Sequence, residues 1–270
     1  MKRCSSCMRE RTEDNFLQRE RVYKTCNKCR EKIQKSQRKK RMQAGSDIPQ
    51  MIQNNVKQIG QGKPREAELS YPLSSMDLMR CLPSDWQETQ IFKYNQLENF
   101  DDIDEMLGCT GCCFLLFESD RQGNTSIGHW TCLVQTHDDE NNSSINFYDS
   151  YGTIPDDEKK KIDPIFLDLS DQSENTLSGL LYDASKTDSV IEYNEKPFQK
   201  MSREISTCGK HCLVRMYMKD LSMKDYQRFI ERISKEYKKS PDELVNLWTG
   251  LIFEGEATPE DLIRILHELR

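Results

Sequence analysis

Three apolar runs dominate the middle of the chain: "CCFLLFES" from Cys112, "HWTCLVQT" from His129 and "SINFYDSY" from Ser144. Each is short, rich in β-branched or aromatic residues, and bounded by turn-forming stretches such as "DRQGNTSIG" and "DDENNSS", which predicts strands joined as an antiparallel meander. A further strand is expected over "SVIEYN" (189–194). Helical spacing marks "SSMDLMRCL", opened by a capping serine, and "NFDDIDEMLG", ended by Gly108. From Thr207 onward the pattern is helical, with breaks near Lys239-Ser240-Pro241 and Gly255–Pro259. This order predicts an α+β fold, a central, mainly antiparallel sheet flanked by helices.

That globular pattern begins at about Leu69. Residues 46–68 are polar and punctuated by Gly and Pro, and are expected to be a linker leading into a domain over 69–270. Residues 1–45 differ again. Cys4-x2-Cys7 and Cys26-x2-Cys29 are two pairs at the spacing of a four-cysteine zinc site, with eighteen residues between them. Each pair can turn both thiolates onto one ion, and four protein ligands leave no open position, so the expected zinc is structural. Phe16, Leu17 and Val22 give this segment little core of its own, so metal binding would supply its folding free energy. The stretch "EKIQKSQRKKRMQ" has good helix formers but almost no apolar face, so it is expected to form a solvated helix beyond the zinc module.

Charge sharpens the division. The whole chain of 270 residues has a net charge of −6, yet residues 1–45 hold 15 Lys/Arg against 5 Asp/Glu. The basic segment can contact nucleic-acid phosphates or simply stand as a solvated face, and both readings stay open, as no base-reading motif is present. No apolar run approaches the roughly 20 residues that span a bilayer, and the polar start "MKRCSSCMRERTED" does not read as a secretory signal, so no membrane partner is expected. With 11 cysteines and a reducing compartment as the default, the cysteines are expected to be metal ligands, a nucleophile and buried small residues rather than disulfides. Cys109, Cys112 and Cys113 have no matching ligand pair elsewhere and are expected in the core.

The candidate chemistry lies in His129, Asp149 and Cys208, in that order along the chain. They supply a base, an orienting carboxylate and a thiol nucleophile. A strand pairing of "HWTCLVQT" with "SINFYDSY" would bring His129 and Asp149 to the same end of adjacent strands. Cys208 begins a helical pattern whose apolar face is Cys212, Leu213, Met216 and Tyr217, so its thiol would sit at a helix N-terminus, which favours the thiolate. Gly209 would leave room for substrate against backbone amides able to hold an oxyanion. Taken singly, each residue has a plainer reading: a core cysteine, a strand-end histidine, a turn aspartate. His211 is the rival base, three residues after Cys208; His129 is preferred because His211 has no evident orienting group.

The segments "GHW", "YDSYG" and "STCGKHC", the last followed by "RMYMKDLSMKDY", resemble the cysteine peptidases of the adenain and SUMO-protease group, whose linear order is His, Asp or Glu, Gln, Cys. The likeness is greatest to the adenain-like maturation proteases of polintons, virophages and related large DNA viruses, and it covers roughly Tyr94 to Ile230. It implies Cys208 as nucleophile, His129 as general base, Asp149 as its orienter, Trp130 beside the cleft, and Gln199 as a side-chain oxyanion donor. It further implies cleavage of capsid or other structural precursors during virion maturation, after small residues such as Gly, in host cytoplasm, nucleus or viral factory, with the enzyme carried into the virion. Three alternatives stand beside this reading: an isopeptidase that removes ubiquitin-like modifiers from host conjugates, an acyltransferase using the same triad, and a zinc-dependent binding protein without catalysis.

Overall fold

In the computed structural model, the described residues are 69–122, 125–137, 143–187 and 189–270, together with four short strands near the N-terminus. The chain divides into two compact units, 1–54 and 55–270. In the first, β1 (Lys2–Arg3) pairs antiparallel with β2 (Glu10–Arg11), and β3 (Leu17–Gln18) with β4 (Arg21–Val22). The expected zinc ligands Cys4, Cys7, Cys26 and Cys29, the basic helix and the linker lie outside the described residues.

The second unit is built on one five-stranded sheet in the order β5 (Gln90–Lys93), β6 (Cys112–Gln122), β7 (Thr125–His137), β8 (Ser143–Tyr148) and β9 (Ser189–Tyr193). The central pairs β6–β7 and β7–β8 are antiparallel, while the outer pairs β5–β6 and β8–β9 are parallel. The three apolar runs thus form the expected meander. The outer strands need crossovers, and these contain helices that the sequence pattern did not single out: α3 (Pro164–Leu169) and α4 (Thr176–Ser185) lie between β8 and β9. The helices α1 (Ser75–Arg80) and α2 (Ile103–Leu107) fall on the two segments expected to be helical, with Ser74 and Asp102 as their caps.

Both faces of the sheet are covered. On one face Cys113, Leu115, Phe117, Leu133, Ile145 and Phe147 pack with α2 and α4 in a single apolar cluster. The alternate residues of β7 meet α5 (Cys208–Tyr217): Cys212 Sγ donates to Trp130 O at 3.4 Å. All ten residues of α5 are buried, not only the apolar face read from sequence, as befits a helix enclosed on every side. Two of its basic side chains find acceptors inside, although Arg215 Nε has none among the described residues. Lys210 Nζ donates to Asn246 Oδ1 at 2.5 Å, and Arg215 donates to the carbonyls of Met218 and Leu221 just past the helix C-terminus. Around it lie α6 (Met223–Tyr237), α7 (Pro241–Phe253) and α8 (Pro259–Leu269), whose breaks fall where Ser240 and Thr258, each followed by a proline at the first helical position, form capping boxes with Glu243 and Asp261. Cys112 and Cys113 are core residues as expected. Cys109 is not: its thiol is exposed and donates to Glu88 at 2.8 Å, because Cys109 lies in the turn before β6 begins. Among the described residues no helix is long and apolar enough to cross a membrane.

Next to His129, β6 and β7 approach so closely that a Cβ on Gly128 would lie 2.0 Å from Phe117 O. Only glycine fits unless the strands part. Gly128→Ala is therefore expected to lower unfolding stability by about 1–3 kcal/mol, the usual cost of forcing extra volume into a packed interior, as read by urea denaturation.

Candidate active site

His129 and Asp149 come together through the β7–β8 register. Cys132 pairs with Tyr148, so the residue after β8 lies beside the end of β7 that carries His129. There His129 Nε2 meets Asp149 Oδ1 at 2.6 Å. Asp149 does not depend on β8 alone. The side-chain amide of Asn194, just past β9, accepts from Asp149 N at 3.0 Å and donates to Asp149 O at 2.6 Å, extending the parallel ladder by one rung. After Asp149 the chain turns sharply, with Gly152 N donating to Asp149 O at 2.9 Å. Gly152 has φ +72°, and a Cβ there would lie 2.7 Å from Lys196 C, so this turn requires glycine. The carboxylate is completed by Tyr151 N, 2.9 Å from Oδ1, and by the Thr153 hydroxyl on Oδ2.

With Nε2 committed to Asp149, Nδ1 is the ring nitrogen left to the thiol of Cys208, to which His129 is hydrogen-bonded. All three residues are buried: His129 is 8% exposed, Asp149 0% and Cys208 7%. Burial alone would push the His129 ring down; the hydrogen bonds and charges of Asp149 and Cys208 outweigh it and push the ring up to about 10. Burial likewise opposes the Cys208 thiolate, but His129, helped by the backbone N–H groups of Trp130 and Gly209, pulls the thiol below its ordinary value. Asp149 is held below the usual carboxylate range against its own burial, chiefly by His129 and then by Thr153 and Tyr151 N. These directions all favour an imidazolium between a carboxylate and a thiolate.

The helix that carries Cys208 favours the same state. Thr207, at its N-cap, makes no capping bond, so its hydroxyl leaves the first-turn amides to other acceptors. The space on which a Gly209 side chain would impinge is taken by Leu73 Cβ at 3.2 Å and Trp130 Cδ1 at 3.3 Å. Gly209 therefore permits close packing, and the room expected for substrate there is filled by protein. Trp130 is 6% exposed and anchored by Nε1 donating to Leu73 O at 2.8 Å, so it is a wall post behind the site. A neighbouring carbonyl, Leu69 O, accepts from Ser206 N at 2.7 Å; the segment from Leu69 to Leu73 thus ties the residue after His129 to the loop before Cys208.

Gln199 is brought to the same place. Its Nε2 donates to Tyr151 Oη at 3.2 Å and to Ile205 O at 3.3 Å, while its Oε1 accepts from Ser150 Oγ at 2.7 Å. The Tyr151 ring stacks on His129 at 4.6 Å between centroids. The rival base His211 is buried within α5 and does have an orienting carboxylate: its Nε2 lies 3.1 Å from Asp242 Oδ1 and its Nδ1 3.4 Å from Tyr148 Oη. The ground for preferring His129 is therefore its bond to Cys208, not the want of a partner for His211. Sequence reasoning also missed Tyr151, Asn194, Thr153 and Asp242. Tyr151 lies two residues from Asp149 and was within reach of a local argument; Asn194 acts through side chain-to-backbone bonds that no spacing announces. His129, Asp149 and Glu158 also have ligand atoms within 4.8 Å of one another, but Glu158 is ion-paired with Lys161 at 2.6 Å and His129 Nε2 is engaged by Asp149.

The shifts set a pH signature. His129, raised to about 10, contributes stability that is full below its unfolded value of 6.5 and is lost as pH rises through about 10. Cys208, depressed from 9.0, contributes above 9.0 and loses it as pH falls through its folded value. Over the range where both shifts act, the two slopes oppose one another. Cys208→Ser removes one of them. Its melting free energy is expected to fall, relative to wild type, by at most about 1.4 kcal/mol per pH unit between pH ~7 and ~9, as measured by calorimetry across that range.

No protein-family model matches this chain. It is 35% identical over 177 residues to an uncharacterized protein, V9, of Sputnik virophage, an alignment spanning 66% of this chain and 93% of the virophage protein. That degree of identity, over nearly the whole of the relative, places both proteins on one line of descent: the chain belongs to the family of virophage-related proteins that includes Sputnik V9.

Proposed function

We propose that this protein is a thiol endopeptidase that processes viral structural precursors. The observation that carries the reading is the buried Cys208–His129–Asp149 arrangement, in which the thiol is pulled down and the imidazole pushed up. In the proposed reaction the Cys208 thiolate attacks the scissile carbonyl carbon, forming a C–S bond and a tetrahedral oxyanion. Backbone amides at the start of α5 and the Gln199 side-chain amide would stabilise that oxyanion, the latter by giving up its bond to Tyr151 Oη. His129 donates its proton to the leaving amine as the C–N bond breaks, then takes a proton from the water that hydrolyses the thioester. Asp149 keeps the ring oriented throughout.

The viral context of the family supports capsid or other structural precursors as substrates. The zinc module enters this reading as a tether: Cys4, Cys7, Cys26 and Cys29 would hold one structural zinc, since four thiolates suit a tetrahedral ion, and the basic segment beyond would contact nucleic acid or a scaffold.

The first test is site-resolved labelling of the full chain with a limiting thiol electrophile near pH ~6.5, where an ordinary thiol of pKa ~8.5 is almost wholly protonated. Cys208 is expected to be modified ahead of the other cysteines, and the preference to vanish in His129→Ala. Equal reactivity of all cysteines in both proteins would sink the peptidase reading. Precursor cleavage should then require Cys208; cleavage of ubiquitin-like conjugates but not capsid precursors would favour the isopeptidase instead. A second variant separates the oxyanion role: Gln199→Ala is expected to lower kcat by about 10²-fold while leaving Cys208 labelling at the wild-type rate.

A further inference from the structure

A second buried histidine–carboxylate pair stands one turn along the helix that begins at Cys208. Asp242, in the first turn of α7, is 3% exposed, and its Oδ1 lies 3.1 Å from His211 Nε2. The same oxygen accepts from the Thr207 hydroxyl, and Oδ2 accepts from Lys200 N at 2.9 Å. Thr207 immediately precedes Cys208, and Lys200 immediately follows Gln199. One carboxylate therefore holds the residue before the thiol, a residue one turn beyond it, and the residue beside the proposed oxyanion donor.

The geometry points to Asp242 as a positioning residue for the reactive thiol: it fixes the start of α5 and the Gln199 loop against one another, and so sets where Cys208 and Gln199 stand relative to His129. The inference rests on the thiol-peptidase reading above. Two physical arguments carry it. A carboxylate buried this deeply is costly and persists only because His211, the Thr207 hydroxyl and Lys200 N are all bonded to it, so the three are held at fixed positions relative to one another. What the charge does is collect three donors that belong to separate pieces of the site. The second argument concerns the helix terminus. A threonine at an N-cap ordinarily turns its oxygen onto the amides of the first turn. Thr207 makes no such bond and donates to Asp242 instead. Asp242 thereby keeps the amides of the first turn open for the thiolate and the oxyanion. Released from Asp242, the Thr207 hydroxyl would be free to close them.

The groups that face this carboxylate are few: His211 and Thr207 from α5, Lys200 through its backbone, and at longer range Tyr151, whose phenol feels the charge of Asp242. Tyr151 is the ring stacked on His129, so the carboxylate is coupled to the triad from that side as well.

The test is the pH profile of Cys208 alkylation in the full chain, compared among wild type, Asp242→Asn, Thr207→Val, Thr207→Ser and His129→Ala, with near-ultraviolet circular dichroism and melting curves to establish folding. Asp242→Asn and Thr207→Val are expected to move the inflection upward, towards the 9.0 of an ordinary thiol, and to slow alkylation near pH ~6.5 roughly tenfold, the factor that corresponds to about one pKa unit. Thr207→Ser, which keeps the hydroxyl, should match wild type. Thr207→Val leaves the buried carboxylate in place and so tests the inference even if Asp242→Asn does not fold. Folded variants with a lower melting temperature but the wild-type profile would make Asp242 a structural residue only and overturn the proposal. An ordinary thiol profile already in wild type, unchanged in His129→Ala, would overturn the peptidase reading and this one with it, and is distinguishable because it needs no Asp242 variant.

Discussion

The bond between His129 Nε2 and Asp149 Oδ1 is the contact around which the domain is arranged. A histidine ring and a carboxylate, both shut away from water, are tolerable only when each is paired and hydrogen-bonded, and the surrounding structure meets that condition piece by piece. The β7–β8 register brings the two residues to one end of the sheet. Asn194 extends the β8–β9 ladder to fix the backbone of Asp149. The turn at Gly152 swings Tyr151 N and Thr153 back onto the carboxylate. The inner strands hold the dyad and the outer strand β9 steadies it, while Cys208 arrives from a separate helical layer.

That division of labour has an electrostatic logic. Among the described residues, Cys208 is a buried thiol drawn below its ordinary value: it lies beside His129, at a helix N-terminus without a side-chain cap. Other buried thiols a few ångströms into the same core behave oppositely. Burial pushes Cys113 and Cys212 well above the ordinary thiol value, and nothing cationic compensates. Among these buried thiols the direction of the shift is set by neighbours rather than by exposure.

The same contrast explains what the sequence made legible. Near-continuous apolar runs showed β6, β7 and β8, because a strand buried on both faces writes its burial into every residue. Ser240-Pro241 and Thr258-Pro259 showed the helix breaks, because caps are local chemistry. The order His129, Asp149, Cys208 showed a candidate site, since the three side chains are chemically matched. Short β5 and the crossover helices α3 and α4 were not legible; their brief patterns resemble those of loops, and the sheet beneath decides their form. Gly209 was misread because a missing side chain looks the same in a sequence whether ligand or protein fills the space. Asp242 was invisible for a related reason, as its three donors lie between 31 and 42 residues away along the chain.

The segment from Leu69 to Leu73 gives the site a place in time. It precedes the whole sheet along the chain, yet Leu69 O bonds to Ser206 N and Leu73 O to Trp130, across loops that enclose most of the sheet. Contacts between such distant positions form only after the intervening chain has closed, so they belong to the late stage of folding. Until then Cys208 lacks the neighbours that lower its thiol. The lowered thiol is in this sense a product of completed folding: a nascent or partly unfolded chain carries an ordinary thiol, and the shift arrives together with the native structure.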